Sequence, residues 1–171
     1  MIEMMALRIA RHIKHAVPDH PASTQVLKFV LAAILNTVFI ITLTLTVSLF
    51  TGKLIEVVII MMAFAFLRQM TGGLHLKSGM GCVAVSTLLF TGLSFVKLDY
   101  NWTIGATLVS MLLIFVFAPA GIERQTRIPP RYFPLLRSGA FIVVSFNLFI
   151  ANPFLAISFF VQTLSLINIR R

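Results

Sequence analysis

The sequence predicts an all-α polytopic membrane protein: about six hydrophobic helices, some short or partly re-entrant, behind an N-terminal amphipathic interfacial helix. Three observations carry that prediction. Of the 171 residues, 58% are apolar and 11% charged, against roughly 45–50% and about 25% in soluble domains. The mean hydropathy is +0.98, so too little polar surface exists to cover a water-soluble globule. Disorder is excluded by the same balance, because disordered chains are apolar-poor and charge-rich. Phe29 to Thr51 runs for 23 residues without a charge, roughly 34 Å of helix and enough to span a bilayer core. Finally, the basic residues between apolar runs alternate between many and few.

Taken in order, residues 1–28 form the first segment. Ile2, Met5, Ala6, Ile9, Ile13, Ala16 and Val17 share one side of a helical projection, and Arg8, Arg11, His12, Lys14 and His15 the other. That pattern suits a helix lying in the headgroup plane. Met4 and Leu7 are exceptions, and Pro18 and Pro21 end the helix. No cleavable signal peptide is expected, since no small-residue cleavage site follows the first apolar run.

After Phe29–Thr51 come five more apolar runs: Leu54–Leu67, Cys82–Val96, Trp102–Ala118, Ser138–Ala151 and Phe154–Ile169. Several reach only about 21–24 Å, short of a full span unless flanking residues extend them or the bilayer thins. Four full spans plus two shallow helices is the alternative count.

Fourteen Lys plus Arg face five Asp plus Glu, a formal charge of +9. In a soluble protein that excess points to nucleic acid. Here no nucleic-acid motif appears, and the charges cluster in alternate loops: Arg8, Arg11, Lys14 and Lys28; Lys53; Arg68 and Lys77; Lys97; Arg124, Arg127, Arg131 and Arg137; none at Asn152–Pro153; Arg170 and Arg171. The positive-inside rule then puts both termini, residues 68–81 and the basic loop 119–137 in the cytoplasm of a multi-pass cell-membrane protein. Residues 1–171 read as one integral membrane domain. The single cysteine, Cys82, forbids an intrachain disulfide and a Cys-rich zinc site, and no metal or cofactor is expected.

Polar residues at membrane depth are the functional candidates. Glu56 is the only acid inside an apolar run, with Lys53 one turn earlier; it reads as a helix-end acid with a local partner, or as a proton carrier. Thr42, Thr44 and Thr46 read as hydroxyls that bond carbonyls or pack helices.

Residues 68–82 are different. They hold the cysteine, one of four histidines and four of nine glycines, and glycine at that density disfavours continuous helix by about 1 kcal/mol per residue. On one unbroken helix His75 and Cys82 would share a face about 10.5 Å apart, too far for a base to reach its nucleophile. A turn at Gly79 and Gly81 would fold His75 back onto a Cys82 that opens the third span. A helix N-terminus and the nearby Lys77 favour the thiolate, which is the nucleophile. Backbone N–H groups around Cys82 are the natural oxyanion donors. Against this stands the plainer reading, a small buried cysteine and a histidine that satisfies a carbonyl.

The order Arg68, Gly72-Gly73, His75, Lys77-Ser78, Cys82 resembles the signature of AgrB, the accessory gene regulator membrane endopeptidases of quorum-sensing systems. The His-to-Cys spacing of seven and the His-x-Lys-Ser run match, and the chain's length, amphipathic start and late basic loop are similar. The resemblance implies a cysteine peptidase that removes the C-terminal tail of a small precursor peptide, AgrD. A thioester with the enzyme is then attacked by a side chain of the peptide, closing a thiolactone or lactone. Carried over by position, Cys82 is the nucleophile and His75 the base. Arg68, Gly72, Gly73, Lys77, Ser78 and Gln69 are supporting residues, Gln69 or Ser78 being candidates to orient His75. Arg124, Arg127, Arg131 and Arg137 would meet the acidic tail. The partners implied are an AgrD-like peptide, membrane lipids and, as an allowed assembly, a second copy; nucleic acid is not among them. A small transporter using Glu56 as proton carrier is the alternative function, and a structural membrane protein with an incidental cysteine a third.

Overall fold

A computed structural model of the chain describes residues 1–73, 78–121 and 129–167. Among them the regular structure is helical: α1 (Ile2–Ala16), α2 (Thr24–Thr51), α3 (Leu54–Thr71), α4 (Gly79–Leu93), α5 (Tyr100–Phe117), a 3-10 turn (Pro130–Tyr132), α6 (Phe133–Ser145), α7 (Asn147–Ile150) and α8 (Pro153–Ile167). Four stretches are long and apolar enough to cross a membrane: Thr24–Thr51, Leu54–Thr71, Tyr100–Phe117 and Pro130–Ile150. Gly79–Leu93 and Pro153–Ile167 are apolar but shorter. The six expected hydrophobic helices are therefore present. They divide into four long and two short, the short ones at 15 residues reaching only about 22 Å of a roughly 30 Å core.

The chain forms two compact units, Met1–Thr51 with His75–Leu89, and Gly52–Leu74 with Phe90–Arg171. In the first, α1 packs along α2 through Ile2, Ala6 and Ala10, all buried. The two alanines let the backbones approach closely, while Met4, Met5 and Ile9 stay exposed as an apolar edge for lipid. Glu3 pairs with Lys28 at 3.6 Å. α2 is inside out by the standards of a soluble helix: its buried residues are Asn36, Thr44 and Ser48, and Phe29, Ile34, Val38 and Phe50 face outward. Thr44 donates to Thr87 of α4 at 3.2 Å. In lipid no hydrophobic force drives helices together, so packing and hydroxyl contacts do.

The second unit repeats the pattern. α5 starts where the Asp99 carboxylate accepts the Trp102 N–H at 3.0 Å, a helix N-cap. It buries Thr103, Thr107 and Ser110 and exposes Leu108, Leu112 and Phe115. Tyr100 and Trp102 sit exposed at its first turn, where amphipathic rings suit a headgroup boundary. An apolar centre joins α3, α5, α6 and α8 through Leu67, Ile114, Val144, Phe159 and Leu166. The uncharged Asn152-Pro153 junction is a polar knot. Asn147 donates through Nδ2 to Thr107 Oγ1 (3.0 Å) and to the Asn152 carbonyl (3.3 Å), and its Oδ1 accepts the Asn152 N–H (3.1 Å). Asn152 then caps α8 by accepting from Phe154 and Leu155. Asn147→Leu removes all three bonds and leaves the Asn152 N–H without its acceptor. We expect it to cost about 1–3 kcal/mol, read as a lower thermal midpoint in detergent; an unchanged midpoint would show that water replaces the knot.

Glu56 is held by Lys53, with Nζ 2.9 Å from Oε1, the local helix-end partner expected from their spacing. In the first span Thr46 donates to the Thr42 carbonyl at 2.7 Å, likewise as expected for hydroxyls that serve the helix.

Candidate active site

α3 persists to Thr71 and α4 begins at Gly79, so Arg68–Thr71 and Gly79–Cys82 of the glycine-rich segment are helical. His75 and Lys77 lie outside the described residues, as do Arg124 and Arg127 of the basic loop.

Cys82 is half-buried and sits in the first turn of α4, three residues inside it, rather than opening the span. Gly79 and Gly81 are helical, so neither supplies the bend expected of them. The cause is Ser78, which acts as the cap: its Oγ accepts the Gly81 N–H at 3.2 Å and its carbonyl accepts the Cys82 N–H at 2.9 Å. A serine in this role starts a helix against the glycines' reluctance. It also removes the Cys82 and Gly81 N–H groups from the set of oxyanion donors. The N–H groups of Gly79 and Met80 remain, with no acceptor among the described residues.

Gly79 faces Asn36. A Cβ on Gly79 would lie 3.7 Å from Asn36 Oδ1 and 3.5–3.6 Å from Ile2. Asn36 is 9% exposed, and its Oδ1 is buried with no hydrogen-bond partner among the described residues. At 100° per residue, Cys82 lies only about 60° round α4 from Gly79, and side chains lean toward the helix N-terminus. A cavity of about 270 Å³, lined among others by Met5, Phe39, Leu43, Met80 and Val83, opens elsewhere: Val83 and Met80 point about 100° and 160° away from Cys82.

In the second unit, Arg68, Gly72 and Gly73 come together at the end of α3. Gly72 donates to the Arg68 carbonyl at 2.9 Å, and Arg68 Nη1 lies 3.4 Å from where a Gly73 Cβ would stand. Gly72 has φ 77 and ψ −152, a region essentially confined to glycine, and Gly73 has φ 145. Gln162 of α8, fully buried, fastens this turn: its Nε2 donates to the Gly72 carbonyl at 2.7 Å and to Thr71 Oγ1 at 3.2 Å. The Ala120 N–H adds a bond to the Thr71 carbonyl at 2.9 Å. Gln69 is exposed on the last turn of α3. Of the described arginines in the late basic segment, Arg131 is exposed and stacks on Tyr132, 4.9 Å from the ring centre. Arg137 spends its Nε–H on the Ala118 carbonyl at 2.7 Å, which ties α6 to the end of α5.

The accessory gene regulator B family, AgrB, matches residues 6–169 of the chain. The chain belongs to the AgrB family. Curated relatives agree. An AgrB-like protein of Halalkalibacterium halodurans is 34% identical over 121 residues, covering 70% of this chain and 61% of that protein. One from Listeria welshimeri is 31% identical over 119 residues, 67% of this chain and 58% of that one. One from Clostridium acetobutylicum is 36% identical over 81 residues, 45% of this chain and 39% of its own length. The chain thus spans about six-tenths of the length of the first two AgrB-like relatives. No solved structure matches it.

Two residues that sequence reasoning passed over belong to these surroundings, Asn36 and Gln162. Asn36 had a signal: it is the one carboxamide in the uncharged run Phe29–Thr51, and polar residues at that depth demand a partner. Gln162 had a similar signal as one of two carboxamides in the last apolar run, with Asn168.

Proposed function

We propose that the protein is the peptide-processing cysteine endopeptidase of an agr-type autoinducer system, with Cys82 as nucleophile and His75 as general base. Family membership supports the system. The observation that carries the chemistry is the position of Cys82 in the serine-capped first turn of α4. There the N–H groups of Gly79 and Met80, which no described residue accepts, are donors for the scissile carbonyl oxygen.

The reaction then runs in two steps. His75 takes the thiol proton as Cys82 Sγ bonds to the scissile carbonyl carbon. The tetrahedral oxyanion collapses with loss of the amine, which receives that proton, and the tail departs. The thioester is next attacked by a thiol or hydroxyl of the same peptide. The ring closes and Cys82 sulfur is released to recover a proton. Intramolecular attack outcompetes hydrolysis through effective molarity, aided by a site that limits water. The substrate is an AgrD-like precursor, Arg131 meets its acidic tail together with Arg124 and Arg127, and Arg68, Lys77 and Ser78 support the site. The positive-inside pattern of the loops supports a site on the cytoplasmic side of the cell membrane.

Co-expression with an AgrD-like precursor, read by intact mass, tests the proposal. Tail release and a product lighter by one water than the hydrolysed peptide are expected. Release that persists in Cys82→Ala excludes the nucleophile, and loss only in Glu56→Gln points to transport instead.

A further inference from the structure

α4 is too short to cross the bilayer by itself, and its contacts with α2 show which part of the span it lacks. Thr87 Oγ1 lies 3.2 Å from Thr44 Oγ1, and a Cβ on Gly79 would stand 3.7 Å from Asn36 Oδ1. Both pairs are 43 residues apart in sequence, so α4 runs beside α2 in the same direction and at a constant offset. That offset sets Gly79 level with Asn36, and Cys82 level with Phe39. The uncharged run of α2 starts at Phe29, directly after Lys28. At 1.5 Å per residue, the backbone of Cys82 is about 15 Å inside the Lys28 end of that run, half of a roughly 30 Å hydrocarbon core.

The surroundings at this level are apolar. Ile2 of α1 packs on the first turn of α4, 3.5 Å from where a Gly79 Cβ would stand, and the nearby Met1, Met4 and Met5 are exposed. The basic residues of α1, from Arg8 to Lys14, follow toward the turn that leads back into α2, and Glu3 reaches Lys28 at 3.6 Å. On the other flank of the same turn of α4, the cavity of about 270 Å³ is lined by apolar side chains together with Thr42 and Thr46. The Thr46 hydroxyl is spent on the Thr42 carbonyl, and apolar cavities stay dry. Cys82 is only half-buried, so it is open to the medium at this depth. We infer that Cys82 meets its substrate inside the lipid leaflet: the peptide bond it attacks lies about 15 Å below the Lys28 end of α2, on an apolar stretch of the peptide that has entered the hydrocarbon. A charged side chain next to that bond would be held out of reach, because charge is expelled from this depth. The inference rests on Cys82 being the nucleophile.

The single cysteine makes the depth measurable in the native chain. The protein is labelled at Cys82 with a methanethiosulfonate nitroxide in detergent and reconstituted in vesicles of phosphatidylcholine and phosphatidylglycerol. Power saturation with oxygen, which concentrates in hydrocarbon, and with a neutral nickel chelate, which stays in water, gives the immersion depth. Phe29→Cys and Phe39→Cys in a Cys82→Ala background, both at exposed positions of α2, serve as rulers. The Cys82 label is expected to read within about 3 Å, the rise of two residues, of the Phe39 ruler. A reading level with the Phe29 ruler, or nickel access as high as there, overturns the inference. In the same vesicles, with an AgrD-like precursor co-reconstituted, lysine in place of the residue whose carbonyl is attacked is expected to slow tail release about 50-fold or more. Norleucine, which keeps the chain and lacks the ammonium, holds the rate within about threefold. Equal rates for lysine and norleucine overturn the inference as well. Precursor cleavage by Cys82→Ala would instead overturn the nucleophile on which it rests and leave the measured depth untouched, so the two failures are read in different assays.

Discussion

Cys82→Ala is expected to lower precursor cleavage by at least about 10³-fold, the largest effect of any single substitution in this chain. Removal of the nucleophile from a unit that acts together leaves only the contribution of binding and oxyanion donors, and losses of about 10⁴–10⁶ are usual in such cases. Cys82→Ser is expected to fall nearly as far, because a hydroxyl in this setting lacks the ready ionisation of a thiol. His75→Ala should cost less, about 10²–10⁴-fold, the range of a general base, since the capped first turn of α4 and its donors are left in place. Initial rates of tail release, measured by mass over a concentration series, separate the three. Equal rates for Cys82→Ala and wild type would end the protease reading. Glu56→Gln should stay within about twofold, because Glu56 is engaged with Lys53 at 2.9 Å and has no place in the chemistry.

Gly72→Ala is the substitution expected to damage the fold most for its size. Its φ and ψ of 77 and −152 cost a side-chain-bearing residue about 1–3 kcal/mol. The turn cannot relax cheaply, since the Gly72 carbonyl and N–H are both held, by Gln162 and by Arg68. At about 2–4 °C per kcal/mol for a chain of this length, the thermal midpoint drops by several degrees. Gly105→Ala is the control. That glycine lies inside α5 with nothing within 4 Å of a built Cβ, so alanine should stabilise by about 0.5–1 kcal/mol. A midpoint for Gly72→Ala equal to wild type would mean that the turn adopts another conformation in the folded protein.

The elements of the fold were legible where one physical signal dominated. Hydropathy placed all six apolar helices and the amphipathic pattern placed α1, whereas the turn expected at Gly79 and Gly81 is not there and the glycine conformations fall at Gly72 and Gly73. Arg68, Gly72 and Gly73 stand together at the end of α3, as close neighbours in sequence do. The start of α4 was misjudged because glycine propensity was weighed without the serine cap at 78, and the cap prevails locally. Asn36 and Gln162 escaped for a different reason. Their importance lies in which backbone they face, Gly79 for one and Gly72 for the other, and no period or composition reports a meeting of residues 43 and 90 positions apart.

The inverted surfaces of α2 and α5 have a consequence for anyone wishing to handle this protein. Hydroxyls and carboxamides hold interior contacts, whereas Leu108, Leu112 and Phe115 are more than half exposed. Recognition between the helices is thus written in one set of residues and compatibility with the solvent in another. The outer set can be rewritten with glutamate and lysine to yield a version that dissolves in water, while the grammar that assembles the bundle stays untouched.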